Sequence, residues 1–466
     1  LAELDFSKAI PPRFATAVVV PVIVRSEDEI EHVARKLEIR WLSNPDPSLR
    51  FVLLTDLPDA PERHQPEDAC IERCLHEAVR VLNARHNDGA GGPFLLLHRE
   101  RSYNPSEGRW MGSERKRGTL ESFNSLLTGA EEADAAFTQT EGDLSRLKGV
   151  VFAIVLDADT ELPPGSAARL VGMLAHPLNR ARFDPGSGRV RRGYTILQPR
   201  LELLPADRPA THFSHLYTGD TAIDIYSRAA SDVYQDVFGI GIFAGKGIYD
   251  VAAFLRTVEN RIPENAILSH DLFEGLHGRV ALASNVVLYE DFPTTYPEYA
   301  ARAHRWIRGD WQLLPWLWRR VPSADGQLVP TVFSSLDRWK IVDNLRRSLV
   351  PPALLLFFIG GWMILPGSAV LWTVLALAAP GSYLVGEVYG ALSGAIRRGE
   401  VVDVLHRITE KGGRWFLAIA FLVTDTMLSL DAIFRTLWRL KVTRRNLLEW
   451  TSAAHSAATV RDKPIR

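Results

Sequence analysis

Cysteine is scarce in this sequence: Cys70 and Cys74 are the only two among 466 residues. Their spacing places both on one face of a predicted helix. Neither a second cysteine pair nor a histidine cluster accompanies them, which disfavours a structural zinc site. The sequence therefore has no need of disulfide bonds, and it suits a reducing compartment.

An excess of charge of either sign is also missing. The 54 lysines and arginines are balanced by 55 aspartates and glutamates, giving a formal net charge of −1. Proteins that bind nucleic acid through its phosphates usually carry a basic surplus, so no nucleic-acid partner is predicted. The sequence begins at Leu1 without a methionine or a signal peptide, and we expect it to be part of a longer polypeptide with further domains.

Long uncharged hydrophobic runs occur only late in the chain, at 349–365 and 369–385. Each is close to the minimum length of a transmembrane helix, and the Pro-Gly-Ser sequence between them predicts a tight hairpin. Basic residues flank the two runs: Arg338, Lys340, Arg346, Arg347, Arg397 and Arg398. By the positive-inside rule both flanks are cytoplasmic, and the preceding part of the chain then lies in the cytosol.

A third hydrophobic segment, 416–434, is a weaker candidate because it contains Asp425 and Asp431 and has basic residues on both sides. It is read either as an interfacial or protein-packed helix, which we favour, or as a third span.

The chain is also longer than a single domain with one hydrophobic core usually is. We therefore predict a soluble domain over 1–330 and a membrane-associated helical region over 331–466, with a lipid membrane as a partner.

Strand-like and helix-like segments alternate through the first part of the chain. Apolar runs predict strands at 15–24, 50–55, 94–98 and 150–156. Helical spacing predicts helices at 26–42, 71–82 and 118–127. This alternation is typical of an α/β protein with a doubly wound, mostly parallel sheet. Ligands of such sheets bind at the carboxyl ends of the strands, where Asp56 and Asp157 lie.

The later part of the soluble domain has a mixed pattern. It predicts strands at 194–199 and 280–289, and helices at 220–238 and 296–318.

An acidic pair, Asp157 and Asp159, follows the apolar strand at 150–156. Carboxylate oxygens suit hard divalent cations, which neutralise a diphosphate leaving group. One carboxylate is predicted to meet a ribose or a metal ion, and the other a metal ion and phosphates. The alternative is a polar loop that simply follows a strand.

Asp271, in the stretch 269–275, is a candidate general base because a lone carboxylate can remove a proton from an attacking hydroxyl. The structural alternative is a helix that Ser269 caps and whose first turn Asp271 complements. Glu274 lies nearly one turn later and is the less favoured base.

Arginine and tryptophan recur on the predicted helix at 296–318. Arginine forks bind phosphate, and a tryptophan ring can pack on a pyranose, so Arg302 and Trp306 are assigned to the acceptor site and Arg305 to phosphate. The alternative is a helix that only seats the domain on a membrane.

Lys116 and Arg117 lie at the start of the predicted helix at 118–127, where basic residues oppose the helix dipole, and they are predicted to bind a phosphate. A solvated basic turn is the alternative.

These residues, in this order, resemble the processive family 2 glycosyltransferases, namely cellulose, chitin and hyaluronan synthases. Longer strings resemble the family 84 glycosyltransferase domain of cyclic β-1,2-glucan synthases. The strings are LSNPDP at 42–47, LLTD at 53–56, ERKRG at 114–118, LDADT at 156–160, HPLNR at 176–180, GKGIYD at 245–250, SHDL at 269–272 and HRWIRGDWQ at 304–312.

The resemblance implies a GT-A-type fold followed by a transmembrane or interfacial helical segment. It implies an inverting glucosyltransferase with UDP-glucose as donor, Mg²⁺ or Mn²⁺ as cofactor and a growing β-1,2-glucan as acceptor. The expected location is the inner (cytoplasmic) membrane, with the catalytic domain facing the cytosol. Alternatives are a family 2 synthase of another β-linked polysaccharide and a catalytically silent glucan-binding module.

Carried over by position, the resemblance assigns the nucleotide to Asp56 and Asp157. It assigns the metal ion to Asp159 and the base to Asp271. Arg305 would then meet the diphosphate.

By the same carry-over, Trp306 would meet the glucan acceptor.

Ile240 and Ile242 depart from the family pattern, which has an acidic and a small polar residue at these positions. This difference leaves the acceptor loop, the chain length and the linkage undecided.

Overall fold

The computed structural model describes residues 1–87, 89, 91–129, 136–204, 211–217, 232–381 and 401–450. Its larger strands are β1 (Thr16–Ile23), β2 (Leu49–Asp56), β3 (Phe94–Arg99), β6 (Gln139–Glu141), β7 (Phe152–Val155), β10 (Ile196–Leu203), β11 (Gly247–Asp250) and β12 (Val280–Glu290). Shorter strands form three small hairpins: β4 (Ser102–Asn104) with β5 (Arg109–Met111), β8 (Arg182–Phe183) with β9 (Val190–Arg192), and β13 (Arg320–Pro322) with β14 (Leu328–Pro330).

The helices before residue 331 are α1 (Glu27–Ser43), α2 (Asp68–Arg85), α3 (Arg115–Thr128), α4 (Ser166–Ala175), α5 (His212–Tyr217), α6 (Val233–Phe238), α7 (Val251–Val258), α8 (Asp271–Gly278) and α9 (Tyr296–Gln312). The helices after it are α10 (Ser335–Met363), α11 (Ala369–Gly381), α12 (Val401–Ala420) and α13 (Leu422–Trp438). Part of the predicted helix at 220–238 lies outside the described residues, and α6 is the part that is described.

The eight larger strands form one sheet in the order β12-β10-β11-β7-β1-β2-β3-β6. Parallel pairs join β1 to β2 and β7, β2 to β3, and β10 to β12. Only β11 and β6 run antiparallel to their neighbours. The predicted α/β class with a mostly parallel sheet is therefore confirmed.

Helices cover both faces of this sheet because side chains alternate along each strand. On β1, Val18 and Val20 point into a core formed with α1, α2 and α4. Val19 points the other way, into a core that contains Phe123 of α3 and Phe254 of α7. Two cores, one on each face, make the sheet doubly wound, as predicted.

A third core connects the later helices. Phe273 of α8 packs with Trp316, Phe333 and Ile341, which brings α8 against the end of α9 and the start of α10. Ile307 of α9 packs with residues of α13. The helices beyond residue 331 are therefore attached directly to α9.

The predicted span at 349–365 coincides largely with the second half of α10, which contains Pro351 and Pro352. The predicted span at 369–385 contains α11, and its last residues lie outside the described part of the chain. Within the described ranges, no single helix is both long and apolar enough to cross a membrane. One pair of helical segments, Gly412–Ala420 and Leu422–Thr443, meets the length and composition requirement together and is bent by 60°.

Arg40 of α1 holds the loop that carries the acidic pair. Its side chain is fully buried and donates hydrogen bonds of 2.7–3.1 Å to the backbone carbonyls of Asp157, Ala158 and Thr160. Burial lowers the pKa of the guanidinium to about 10, so it stays charged at neutral pH. The loop is therefore fastened to the helix layer through its backbone, and Arg40 engages neither acidic side chain.

We expect Arg40→Met to lower the free energy of unfolding by about 3 kcal/mol, because buried carbonyls lose a charged donor. Arg35→Met is the matched control: Arg35 lies on the same helix, is exposed and, among the described residues, forms an ion pair only with Glu31. The control should change stability by less than about 0.5 kcal/mol. Urea unfolding of the two variants measures the difference, and equal stabilities would contradict the role of Arg40.

Candidate active site

A cavity of ≈ 700 Å³ lies at the carboxyl edge of the parallel strands. We call it the edge cavity. It is walled by the ends of β1, β2 and β7, the first turns of α1, α3 and α8, and one side of α9. Its lining includes eight of the predicted site residues: Asp56, Lys116, Asp157, Asp159, Asp271, Arg302, Arg305 and Trp306. The fold thus gathers at one edge of the sheet side chains that are far apart in sequence. The volume of the edge cavity is typical of small-ligand sites.

Asp157 lies just beyond β7 and is held by two ammonium groups. Its Oδ1 accepts a hydrogen bond of 2.6 Å from Lys116, and its Oδ2 lies 3.1 Å from the Nζ of Lys246. Burial alone would raise the pKa of this carboxyl, but the two lysines outweigh burial and hold the pKa well below its ordinary value. Asp157 therefore stays a carboxylate at every working pH.

Lys246 was not among the predicted site residues. It directly precedes β11, and because β11 runs antiparallel, its first residue lies at the same edge as the ends of the parallel strands. The side chain is only 6 % exposed, and it also pairs with Glu290 at the end of β12. The pKa of Lys246 is raised, because the carboxylates of Glu290 and Asp157 outweigh the effect of burial. Lys246 could be seen in the sequence as part of the glycine-rich segment 239–247. Its ion-pair partners, Asp157 and Glu290, are set by the order of the strands in the sheet.

Asp159 differs from Asp157 in its surroundings. Its backbone carbonyl accepts a hydrogen bond of 3.3 Å from Lys36, while its half-buried side chain lines the edge cavity. Among the described residues, no hydrogen bond or ion pair engages its carboxylate. Mg²⁺ is usually held by one or two carboxylates together with water and substrate phosphates, so Asp159 fits the requirement for a metal ligand.

Asp56 lines the edge cavity, and its carboxylate already accepts several hydrogen bonds. Arg99 forms two hydrogen bonds with it, of 2.8 and 2.7 Å, and the hydroxyl of Thr119 donates a third of 2.9 Å. A contact with a nucleotide would have to use the remaining lone pair, so the predicted role of Asp56 is compatible with the structure only in that restricted form.

The structure does not bring Arg117 to the edge cavity. Its guanidinium pairs with Glu114 and Glu121, and Arg115 lines the cavity instead. Glu114 and Arg115 both have positive φ, 53° and 56°, so α3 begins with a sharp turn that sets the phase of the helix. With α3 oriented in this way, Lys116 faces Asp157. Arg117 points away from the cavity, because successive helical side chains are about 100° apart.

Asp271 is the first residue of α8, and its carboxylate lies against Gly245. A Cβ atom added to Gly245 would come within 2.6 Å of both carboxylate oxygens, and the φ of this glycine is +79°. The Oδ1 atom of Asp271 is buried and has no hydrogen-bond partner among the described residues. An unpartnered carboxylate oxygen that borders a cavity can accept a proton from a bound ligand.

The loop before Asp271 is fastened to α9. The nitrogen of Leu268 donates a hydrogen bond of 2.7 Å to Gln312, and Gly309 leaves room for Ser269, whose Cβ lies 2.3 Å from the position that a Cβ on Gly309 would take. The candidate base and the arginine-rich helix therefore keep a fixed relative position.

Two arginines of α9 form a positive wall of the edge cavity. The guanidinium of Arg302 lies 4.5 Å from the ring centroid of Trp306, and that of Arg305 lies 5.5 Å from the ring centroid of Trp450. Burial, followed by the charge of Arg302, lowers the pKa of Arg305 to about 10, so Arg305 remains a cation at neutral pH. Together with Lys116 they make this part of the cavity suitable for an anion.

Sequence reasoning also missed Trp450. Backbone carbonyls just before it are held from both sides: that of Leu448 accepts a hydrogen bond of 3.1 Å from Arg115, and that of Leu447 one of 2.7 Å from Gln312. The strap 446–450 thereby places the tryptophan ring on the edge cavity. No signal in the sequence pointed to this contact, because Leu448 and Arg115 are 333 residues apart.

The glycine-rich loop carries the two isoleucines that depart from the family pattern. Ile242 lines the edge cavity. The backbone carbonyls of Ile240 and Gly241 accept hydrogen bonds of 3.0 and 2.8 Å from Lys340 of α10. This part of the loop is therefore attached to the helical region, and an apolar side chain takes the place expected for a polar one.

We expect Lys246→Met to lower the free energy of unfolding by about 3 kcal/mol, because Glu290 would keep a buried charge without its cation. Adding Glu290→Gln should recover part of this loss, since the uncompensated charge is then removed. Lys148→Met, at an exposed position, is the control. Thermal unfolding of the three variants measures the effect, and a double variant less stable than Lys246→Met would contradict this account.

No protein-family model matches the chain. Among solved structures, the mannosyltransferase PcManGT from Pyrobaculum calidifontis in complex with GDP-Man and Mn²⁺ matches 92 % of this chain and 90 % of its own, with a TM-score of 0.41 and 15 % sequence identity.

A sequence relative is much more similar. The cyclic β-(1,2)-glucan synthase NdvB of Rhizobium meliloti is 38 % identical over 460 residues, which is 97 % of this chain but only 16 % of that relative. The chain thus corresponds to about a sixth of a much longer protein. The resemblance predicted from the motif strings is confirmed: over nearly its whole length, this chain is similar to one part of a cyclic β-(1,2)-glucan synthase.

Proposed function

We propose that the chain is an inverting, metal-dependent glucosyltransferase that uses UDP-glucose to extend a β-1,2-glucan. The observation that carries this proposal is the contrast between three carboxylates on one cavity. Asp157 is held by two lysines, while Asp159 and the Oδ1 of Asp271 have no hydrogen-bond partner among the described residues. The carboxylate of Asp157 is thus positioned by its lysines, that of Asp159 is open to a cation, and that of Asp271 can accept a proton. The similarity to a glucan synthase supports the choice of sugar and linkage.

The donor would lie along the cationic side of the edge cavity. Lys116 and Arg305 would face its diphosphate, since arginine forks and lysine ammonium groups both bind phosphate oxygens. Arg302, whose guanidinium lies over the ring of Trp306, would belong to the acceptor site. Asp159 would hold Mg²⁺ or Mn²⁺, and such an ion, when bound, neutralises the leaving diphosphate. Asp157, fixed by its two lysines, would present its remaining acceptor capacity to the nucleoside.

The acceptor would enter beside Trp306 and Asp271. In the transfer, a hydroxyl oxygen of the glucan forms a bond to C1 of glucose, the bond from C1 to the diphosphate breaks, and the hydroxyl proton passes to Asp271. The configuration at C1 inverts because attack and departure occur on opposite faces. The close contact with Gly245 would hold the base carboxylate against this face of the cavity. Ile242 would give the acceptor site an apolar edge.

Attachment to the inner membrane, with residues 1–330 on the cytosolic side, is part of the proposal. Large apolar side chains are exposed on the helices after residue 331, among them Leu356, Trp362, Met363, Phe416 and Phe434. Several large apolar side chains exposed on one group of helices are typical of membrane or protein contacts. The region 331–466 would lie in or on the bilayer, and nucleotide-sugar would be taken from the cytosol.

We expect Asp271→Asn to reduce glucosyl transfer by about 10²–10⁴-fold, because an amide cannot accept the proton of the acceptor hydroxyl. UDP binding should stay within about twofold of the unsubstituted chain, since Asp271 faces the acceptor. Asp291→Asn, at an exposed carboxylate, is the matched control. Radiolabelled transfer and calorimetric UDP titration separate the two effects, and full turnover by the variant would remove Asp271 from this role.

We expect Asp159→Ala to abolish the dependence of UDP binding on Mn²⁺, with a loss of at least about tenfold in Mn²⁺ affinity. Paramagnetic resonance of Mn²⁺ titrated into the chain with UDP gives a readout that does not need turnover. An unchanged Mn²⁺ affinity would show that the cation is held elsewhere.

UDP release by the purified chain, given UDP-glucose and Mn²⁺ with or without a β-1,2-gluco-oligosaccharide, tests the function as a whole. Release that requires both the metal and the acceptor supports the proposal, and linkage analysis of the product decides between β-1,2-glucan and another β-linked polymer. UDP binding without release would instead favour a silent glucan-binding module.

A further inference from the structure

We propose that His270 is a positioning residue that cancels the charge of Glu274 and so keeps Asp271 ionised as the base. This inference rests on the proposed function, and it concerns two buried residues to which the similarity to glucan synthases assigns no role.

Three titratable side chains lie at the start of α8. His270 immediately precedes the helix, Asp271 is its first residue, and Glu274 lies one turn after His270. The Nδ1 of His270 is 2.8 Å from Oε1 of Glu274 and 3.7 Å from Oδ1 of Asp271. One nitrogen and two carboxylate oxygens lie within 4.8 Å of one another. The imidazole is therefore an ion-pair partner of Glu274 and lies near Asp271, although its Nδ1 has no hydrogen bond of good geometry among the described residues.

Without a cation between them, these carboxylates would disfavour each other's ionisation. Glu274 is only 6 % exposed and His270 only 5 %, so water screens their charges poorly. Two carboxylates at such a distance in a buried site tend to retain one proton between them. A base that already carries a proton cannot accept one from the acceptor, so the site needs a neutralising charge at this point.

The imidazole of His270 can supply that charge. Burial disfavours the imidazolium, but the carboxylates of Glu274 and Asp271 outweigh burial and raise the pKa of His270 above its ordinary value. Within the described part of the chain, Lys116 and Tyr249 also face this cluster. Lys116 of α3 opposes the imidazolium, and the hydroxyl of Tyr249 on β11, whose pKa burial raises, donates to Asn124 and stays neutral.

The position of Glu274 does not suit the role of the base. Its carboxylate is buried and held by His270, and it is absent from the lining of the edge cavity, whereas Asp271 is part of that lining. The pair therefore supports the base and does not replace it.

The test compares His270→Gln, Glu274→Gln and the double variant in assays of UDP release between pH 5 and 9. His270→Gln leaves two facing carboxylates, and the acid limb of the kcat profile should move up by about one pH unit. The double variant removes both charges, so its acid limb should return to within about 0.3 of the original. The KM for UDP-glucose should change little in all three.

His277→Gln is the matched control on the same helix. The ring of His277 lies 4.6 Å from the ring centroids of both Phe273 and Phe333. Burial, followed by the charge of Arg261, lowers its pKa to about 3, so it is neutral at working pH. Its substitution removes no charge, and the acid limb should stay in place.

An unmoved acid limb in an active His270→Gln chain overturns the proposal, and so does a limb that the double variant fails to restore. If His270→Gln does not fold, Glu274→Gln decides: an acid limb at or below the original supports the proposal, and one above it overturns it. A chain without any UDP release speaks against the proposed function alone.

A second measurement does not need turnover. In histidine-labelled protein, carbon-13 NMR should show the His270 ring as imidazolium at pH 7.5, and as neutral in Glu274→Gln. A neutral ring in the unsubstituted chain would overturn the inference.

Discussion

The carboxylate of Asp157, held between the ammonium groups of Lys116 and Lys246, is the interaction on which the rest of the site depends. Lys116 is in the first turn of α3, Lys246 precedes β11, and Asp157 follows β7, so one buried charge cluster joins three elements of the fold. The same lysines extend the cluster to the carbonyl of Gly245 and the carboxylate of Glu290. Buried charges are tolerated only when they are paired, and here the pairing also sets the spacing of the cavity walls.

On the other side of the edge cavity, close packing fixes the position of the loop that precedes Asp271. Gly245 lies against Asp271, and Gly309 of α9 lies against Ser269, so both sides of the base loop touch residues without a side chain. Because α9 also carries Arg302 and Arg305, the guanidinium groups of the cavity wall and the carboxylate of Asp271 belong to one packed unit. The carboxylates then differ by environment: one is saturated by lysines, one is open to a cation, and one is kept next to a histidine.

The motifs could be predicted from the sequence because their chemistry is local. Asp157 and Asp159 directly follow a run of apolar residues, and Trp306 recurs with arginines at helical spacing. Arg117 shows the limit of this reasoning, since the left-handed residues before it turn α3 so that Lys116, and not Arg117, meets the cavity. Lys246 was equally visible, but its position depends on an antiparallel strand inserted into a parallel sheet.

The sequence by itself determined the α/β class, the order of the acidic and basic motifs and the similarity to a glucan synthase, since apolar periodicity and contiguous strings are properties of short segments. Only the tertiary structure decided which charges neutralise one another. Lys116 and Asp157 are 41 residues apart, and Lys116 and Gly245 are 129 residues apart. Electrostatic pairing depends on distances of a few ångströms, and strand order and helix phase set these distances across such separations.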